Sequence, residues 1–219
     1  MNDTTSSASR YLPWLLLTMS LIVPFIAWSS ERDWSYDKLT LLVIFPLLGL
    51  WAWSIMWTHY AYGSLRLVYS GLQKNKLYSK VSGVLVLFLI LLHPFLLSLN
   101  QWQTLEKLPP GSVYSYVAPS QKLFIYFGVV ALTLFLSFEV FERLKSSNVV
   151  NQNWKWVSLS QMLAMTLIFF HALSLGSNLS VEWFELYWVT LGALLIPCFG
   201  LIGRADWQDK HYTNVSRTS

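Results

Sequence analysis

Residues 82–100 read SGVLVLFLILLHPFLLSLN: nineteen positions without one Asp, Glu, Lys or Arg, and with one histidine, His93, set among leucines. At about 1.5 Å per residue such a run makes a helix about 28 Å long, close to the ~30 Å hydrocarbon layer of a bilayer. A soluble protein would have no reason to place so long an uncharged run in one element. The segment therefore predicts a membrane-spanning helix, and the rest of the chain repeats the pattern. Comparable runs cover Tyr11–Trp28, Leu39–His59, Lys122–Phe141, Trp156–Gly176 and Trp183–Gly203. The chain is 54% hydrophobic and only 12% charged, with a mean hydropathy of +0.45, against roughly 25% charged residues in soluble domains. The expectation is an all-α protein, a single six-helix transmembrane bundle over residues 1–219, with no room for a soluble domain. No internal repeat is evident at this level.

The first run follows a single basic residue, Arg10, and Ala27-Trp28-Ser29 loosely imitates a cleavage site. It is long for a signal peptide core and carries Pro13 and Pro24, so it is read as a helix of the mature protein. Lys and Arg placement sets the orientation. Arg10, Arg66, Lys74, Lys76, Lys80, Arg143, Lys145, Lys155, Arg204, Lys210 and Arg217 fall on one side, and Arg32, Lys38, Lys107 and Lys122 on the other. Both termini are expected in the cytoplasm, with the chain in a bacterial inner (plasma) membrane. The net charge of +4 then reflects insertion and needs no nucleic-acid partner.

The connections carry their own expectations. Tyr62–Val81 has Leu65, Val68, Tyr69 and Leu72 at helical spacing and is read as an amphipathic loop on the inner surface. Pro109-Pro110-Gly111 breaks the longest outer loop. Ser177–Glu182 is so short that helices 5 and 6 should be antiparallel neighbours. The polar tail after Arg204 is too short to fold alone. Trp28, Trp34, Trp102, Trp154, Trp156, Trp183 and Trp188 suit aromatic belts at the two interfaces.

His93 and His171 are the chemically informative residues. His93 lies seven residues before Asn100 and His171 five before Gly176, so both fall about 8–10 Å from the outer ends of helices that run in the same direction. Two buried imidazoles at one depth suit the axial positions of a b-type haem, a low-spin electron-transfer site with no place for oxygen. Small residues on the stripe behind His171 (Leu167, Ala164, Ser160, and Ser174 ahead) leave room for a flat macrocycle or a close helix, and the stripe behind His93 holds Leu89, Val86 and Ser82, with Gly83 beside them. Phe88, Phe95, Phe169 and Phe170 are candidates to wall it. The plainer alternative is hydrogen bonding between helices, although ionisable groups inside a membrane are functional by default.

The remaining polar residues read more plainly. His59 has no second histidine at its depth, so a second haem there lacks a visible ligand pair, and an interfacial hydrogen-bonding role is expected. His211 belongs to the polar tail. Glu139 and Glu142 are expected to pair with Arg143 or Lys145, and Gln161 needs a buried partner. A lone cysteine, Cys198, makes no disulfide, thiolate zinc site or iron–sulfur cluster. No phosphate-cradling loop, dinucleotide fingerprint or nucleophile–base motif is present, and Asn178-Leu179-Ser180 is a weak glycosylation sequon.

Six helices, Lys80-Val81-Ser82-Gly83 opening the third, His93 within it and His171 in the fifth resemble the ferric reductase-like transmembrane domain. That superfamily includes the haem b membrane subunit of the bacterial methionine sulfoxide reductase system, the NADPH oxidases and the metalloreductases. The resemblance spans helices 2 to 5. It implies that His93 and His171 are axial haem iron ligands and that the chain is an oxidoreductase-type electron-transfer subunit. Many members hold two haems through two histidines per ligand helix. Here the inner positions lack histidine, which implies one haem b. The flavin and nicotinamide domain of the larger members is not in this chain, so the reductant would be a separate flavoprotein or quinol, and the acceptor would lie at the outer face. The rival class is a cofactor-free transporter or an assembly or scaffold subunit, with Pro46, Pro94 and Pro197 interrupting its helices.

Overall fold

The computed structural model describes the backbone of residues 7–112 and 117–218 and the side chains of residues 10–112 and 117–205. It is all-α, with no strand among the described residues. The six long helices are α1 (Ser7–Ser30), α2 (Leu41–Val68), α3 (Lys76–Leu105), α4 (Lys122–Arg143), α5 (Trp154–Leu175) and α6 (Glu182–Thr218). Each contains a span long and apolar enough to cross a membrane, and the chain is an integral multi-pass membrane protein. One short helical turn, Asn148–Gln152, precedes α5, and the 3-10 turn Ser177–Ser180 joins α5 to α6. That tight joint makes α5 and α6 packed antiparallel neighbours, as its length predicts.

Two expectations about the polar segments need correction. Tyr62–Val81 is not a surface loop: α2 runs on to Val68, residues 69–75 turn, and α3 begins at Lys76. At 28 residues, α2 is about 42 Å long, so it projects beyond the hydrocarbon. Nothing breaks it before Gly71, and the Tyr62 hydroxyl donates to Gln73 O at 2.7 Å across the turn. Asn75 then caps α3, its side chain accepting from Tyr78 N at 3.0 Å. Past Arg204 the tail does not leave the helix but continues it to Thr218, since no Gly or Pro follows Gly203 to stop propagation.

The core is organised around α2, which packs on α1, α3, α5 and α6. Its tryptophans act as cross-helix staples. Trp51 Nε1 donates to Leu21 O in α1 (2.8 Å), Trp53 Nε1 to Met165 O in α5 (3.3 Å) and Trp57 Nε1 to Leu191 O in α6 (2.9 Å). A helical carbonyl has two lone pairs, so each can take an indole N–H from a neighbour. Trp34, Trp102, Trp156 and Trp183 are exposed, as a belt requires, but Trp28 and Trp188 are buried. Trp28 Nε1 donates to Val43 O (2.8 Å), and Trp188 stacks on Trp53 with ring centres 4.1 Å apart. These two belong to the packed interior. Lys145, an expected partner for Glu139 and Glu142, lies over the Trp154 ring, Nζ 3.8 Å from its centre. Gln161 is only half-buried.

The bundle also contains a repeat that a first reading of the sequence passes over. The α2–α3 and α4–α5 hairpins form the two most closely packed helix pairs. Residues 82–100 align without a gap on 160–178 and agree at seven of nineteen positions, including Ser82/Ser160, Leu89/Leu167, Ile90/Ile168, His93/His171 and Asn100/Asn178. On the preceding helices, Phe45, Gly49 and Ala52 match Phe124, Gly128 and Ala131. The two hairpins run in the same sense, so their repeat axis lies along the bundle.

Candidate functional site

His93 on α3 and His171 on α5 come together between the two hairpins. Their ring centres are 6.5 Å apart and their planes nearly perpendicular, at 82°. No hydrogen bond joins them. Each is instead held from behind by the first helix of its own hairpin. His93 Nδ1 lies 2.6 Å from Phe45 O on α2, and His171 Nδ1 lies 2.7 Å from Phe124 O on α4. A carbonyl oxygen only accepts, so Nδ1 carries the proton and donates. That fixes the tautomer in which Nε2 keeps its lone pair. Metal-binding histidines are typically held by such a second hydrogen bond.

One turn beyond each accepting carbonyl lies a glycine. A Cβ on Gly49 would stand 2.9 Å from His93 Cε1 and 3.0 Å from Nδ1; one on Gly128 would stand 2.8 Å from both atoms of His171. Contacts this short force the ring to shift, so the absent side chain at each glycine is what lets the imidazole lie where it does against the neighbouring backbone. The matched set Phe-x-x-x-Gly plus histidine is the repeated structural unit, and it occurs once in each hairpin.

The rings border a cavity of about 240 Å³ lined by all four helices of the hairpins. Its walls include Phe45, Trp53 and Phe135, with Ile90, Leu132 and Ile168 around them. It extends to Val117 and to Gly176–Asn178, at the bundle end formed by the α1–α2, α3–α4 and α5–α6 connections. The expected aromatic wall is different. Phe88, Phe95 and Phe170 are exposed on the lipid side, and Phe169 packs against Trp53 at 6.1 Å between ring centres and over Gly192. None of the four lines the cavity. Nor does Gly83 make room there: a Cβ on it would meet nothing within 4 Å. The stripe on α5 that does face the space is Ile168, Ala172 and Leu175, one step round the helix from the expected Leu167 and Ala164. The useful signal was the recurrence of Phe-x-x-x-Gly 79 residues apart alongside histidines 78 apart.

The spacing of the pair can be tested against coordination geometry. A metal–imidazole bond is about 2.0–2.1 Å and a ring nitrogen lies about 1.1 Å from its ring centre, so two imidazoles opposed across one metal have centres about 6.2–6.4 Å apart. The observed 6.5 Å between ring centres leaves room for such an arrangement. Among the described residues there is no cluster of three or more His, Cys, Asp or Glu side chains. A bare zinc site takes three or four protein ligands. A two-imidazole set instead suits a metal that brings its own equatorial ligands.

His59 plays the part expected of it. It lies ten residues beyond Gly49, about 15 Å further along α2. Ser82 donates to Tyr78 O at 2.6 Å, so its oxygen is left to accept from His59 Nε2 at 2.9 Å. The Tyr78 hydroxyl meets Thr58 Oγ1 at 2.5 Å. The result is a local polar tie between α2 and α3, with no partner from the second hairpin, where Phe138 occupies the matching position. The side chain of His211 lies outside the described residues. Compared with protein-family models, curated proteins and solved structures, the chain matches none.

Proposed function

We propose that this membrane protein is a b-type cytochrome in which His93 and His171 are the axial ligands of one haem, as its resemblance to the ferric reductase-like domain implies. The observation that carries the reading is the pair of imidazoles centred 6.5 Å apart, each with Nδ1 tied to a helix carbonyl. A bound haem supplies one-electron exchange with no open coordination position. The chain supplies the rest. The Phe45 and Phe124 carbonyls hold the tautomer and ring direction, Gly49 and Gly128 seat the rings, and the apolar walls keep water out and so influence the potential.

In this reading the protein is an electron-transfer subunit of a bacterial inner membrane with cytoplasmic termini, as the Lys and Arg asymmetry supports. Its donor is a separate flavoprotein or quinol. Its acceptor sits at the outer face, near the bundle end that the cavity approaches. The test is the absorption spectrum of protein purified from haem-replete cells. A Soret band that is lost in both His93→Ala and His171→Ala is expected. Colourless, folded wild-type protein would overturn the reading and favour a cofactor-free transporter or scaffold.

A further inference from the structure

The four helices around the cavity are closed on three sides and open on the fourth. α3 packs on α2, α2 on α5, and α5 on α4, but α3 and α4 hardly touch. The α2–α5 side is sealed by Trp53, which is fully buried, hydrogen-bonded to Met165 O and stacked on Trp188. On the opposite side Val129 of α4 lines the cavity and is 55% exposed. Pro94 and Leu97 of α3 line the cavity across from it. Leu91 and Phe95 on α3, and Val130 on α4, are exposed apolar residues elsewhere on the same two helices. All of them lie inside membrane-spanning segments.

From this we infer that the gap between α3 and α4 is a lateral portal through which the site takes its flat, apolar ligand from the bilayer, and that the ligand's edge then fills the gap beside Val129. The inference rests on the haem reading. The geometry gives a reason for it. A rigid macrocycle held between His93 and His171 would be wider than the pair of rings that grips it, and Trp53 fills the α2–α5 side. The open α3–α4 side is where the remaining width goes. An apolar edge against lipid there carries little desolvation cost, whereas a route from the aqueous end would pass the polar groups of Ser177 and Asn178.

The test uses full-length protein in lipid nanodiscs, with Val129→Cys introduced into a Cys198→Ser background. Protein from haem-deficient cells is labelled with a lipid-soluble maleimide before and after haemin is added. The expected result is fast labelling of the apo protein and a several-fold loss once the Soret band has formed. A bulky companion, Val129→Trp, should slow Soret formation several-fold while leaving helical circular dichroism unchanged. A Soret band with the introduced thiol labelled equally fast before and after, or with Val129→Trp loading at the wild-type rate, would overturn the portal and leave the haem reading standing. Failure of wild-type protein to form a Soret band at all would overturn both.

Discussion

Gly49 lies directly beneath the imidazole of His93, so close that one added methyl group would stand 2.9 Å from its Cε1. Because overpacking of this kind typically costs about 1–3 kcal/mol, Gly49→Ala should tilt the ring off its carbonyl rather than unfold a six-helix bundle. The expected outcome is a strong loss of haem content with a small fall in thermal stability. Gly128→Ala should do the same at His171, and haem-to-protein ratio against melting temperature in detergent distinguishes the two effects.

Removing one ligand should leave the other in place. His93→Gly and His171→Gly are each expected to lose the bis-histidine spectrum, and added imidazole should restore it, since its nitrogen can take the vacated position. Both variants should remain folded and monodisperse. Recovery in neither would argue that the rings serve only to join helices.

Trp53 forms the closed wall opposite the portal. Trp53→Phe keeps the ring but loses the indole donor to Met165 O, and interhelical hydrogen bonds in membranes average about 0.6 kcal/mol. A small loss of stability with haem retained is expected. Trp53→Ala, which opens a large void in a fully buried position, should cost about 3–5 kcal/mol. Unfolding of the two variants by sodium dodecyl sulfate, followed by circular dichroism, checks the difference.

His59 offers the contrasting case. His59→Phe copies the residue that the second hairpin already has at Phe138. It removes the bond to Ser82 Oγ, at about 0.6 kcal/mol, and should leave the absorption spectrum unchanged. A lost or shifted Soret band would mean that His59, not only the central pair, contacts the cofactor.

The six spans and the depth of the two histidines were legible because lipid burial imposes a simple rule, about twenty apolar residues per crossing, and because an intramembrane histidine stands out against that background. The walls were not legible. On a helix surrounded by both lipid and protein every face is apolar, so Phe88 and Phe95 look no different from Phe45 and Phe135 until the neighbours are placed. Gly49 and Gly128 escaped notice because they serve histidines on other helices, 44 and 43 residues away. The repeat was hidden because most positions differ, several cavity-lining ones among them (Pro94 against Ala172, Trp53 against Leu132), and because the offset changes from 79 to 78 between the two helices. Trp28 and Trp188 misled because an indole suits an interface and a buried staple equally well.

The correspondence between the α2–α3 and α4–α5 hairpins bears on how such a site could come to exist. Each hairpin alone presents one nitrogen, braced by its own carbonyl and its own glycine, and one nitrogen is too few to grip a metal from both faces. Two copies facing each other are enough. In the haem reading, a duplicated hairpin would supply both halves of the grip at once. Pro94 opposite Ala172, and His59 opposite Phe138, are among the places where the two halves differ.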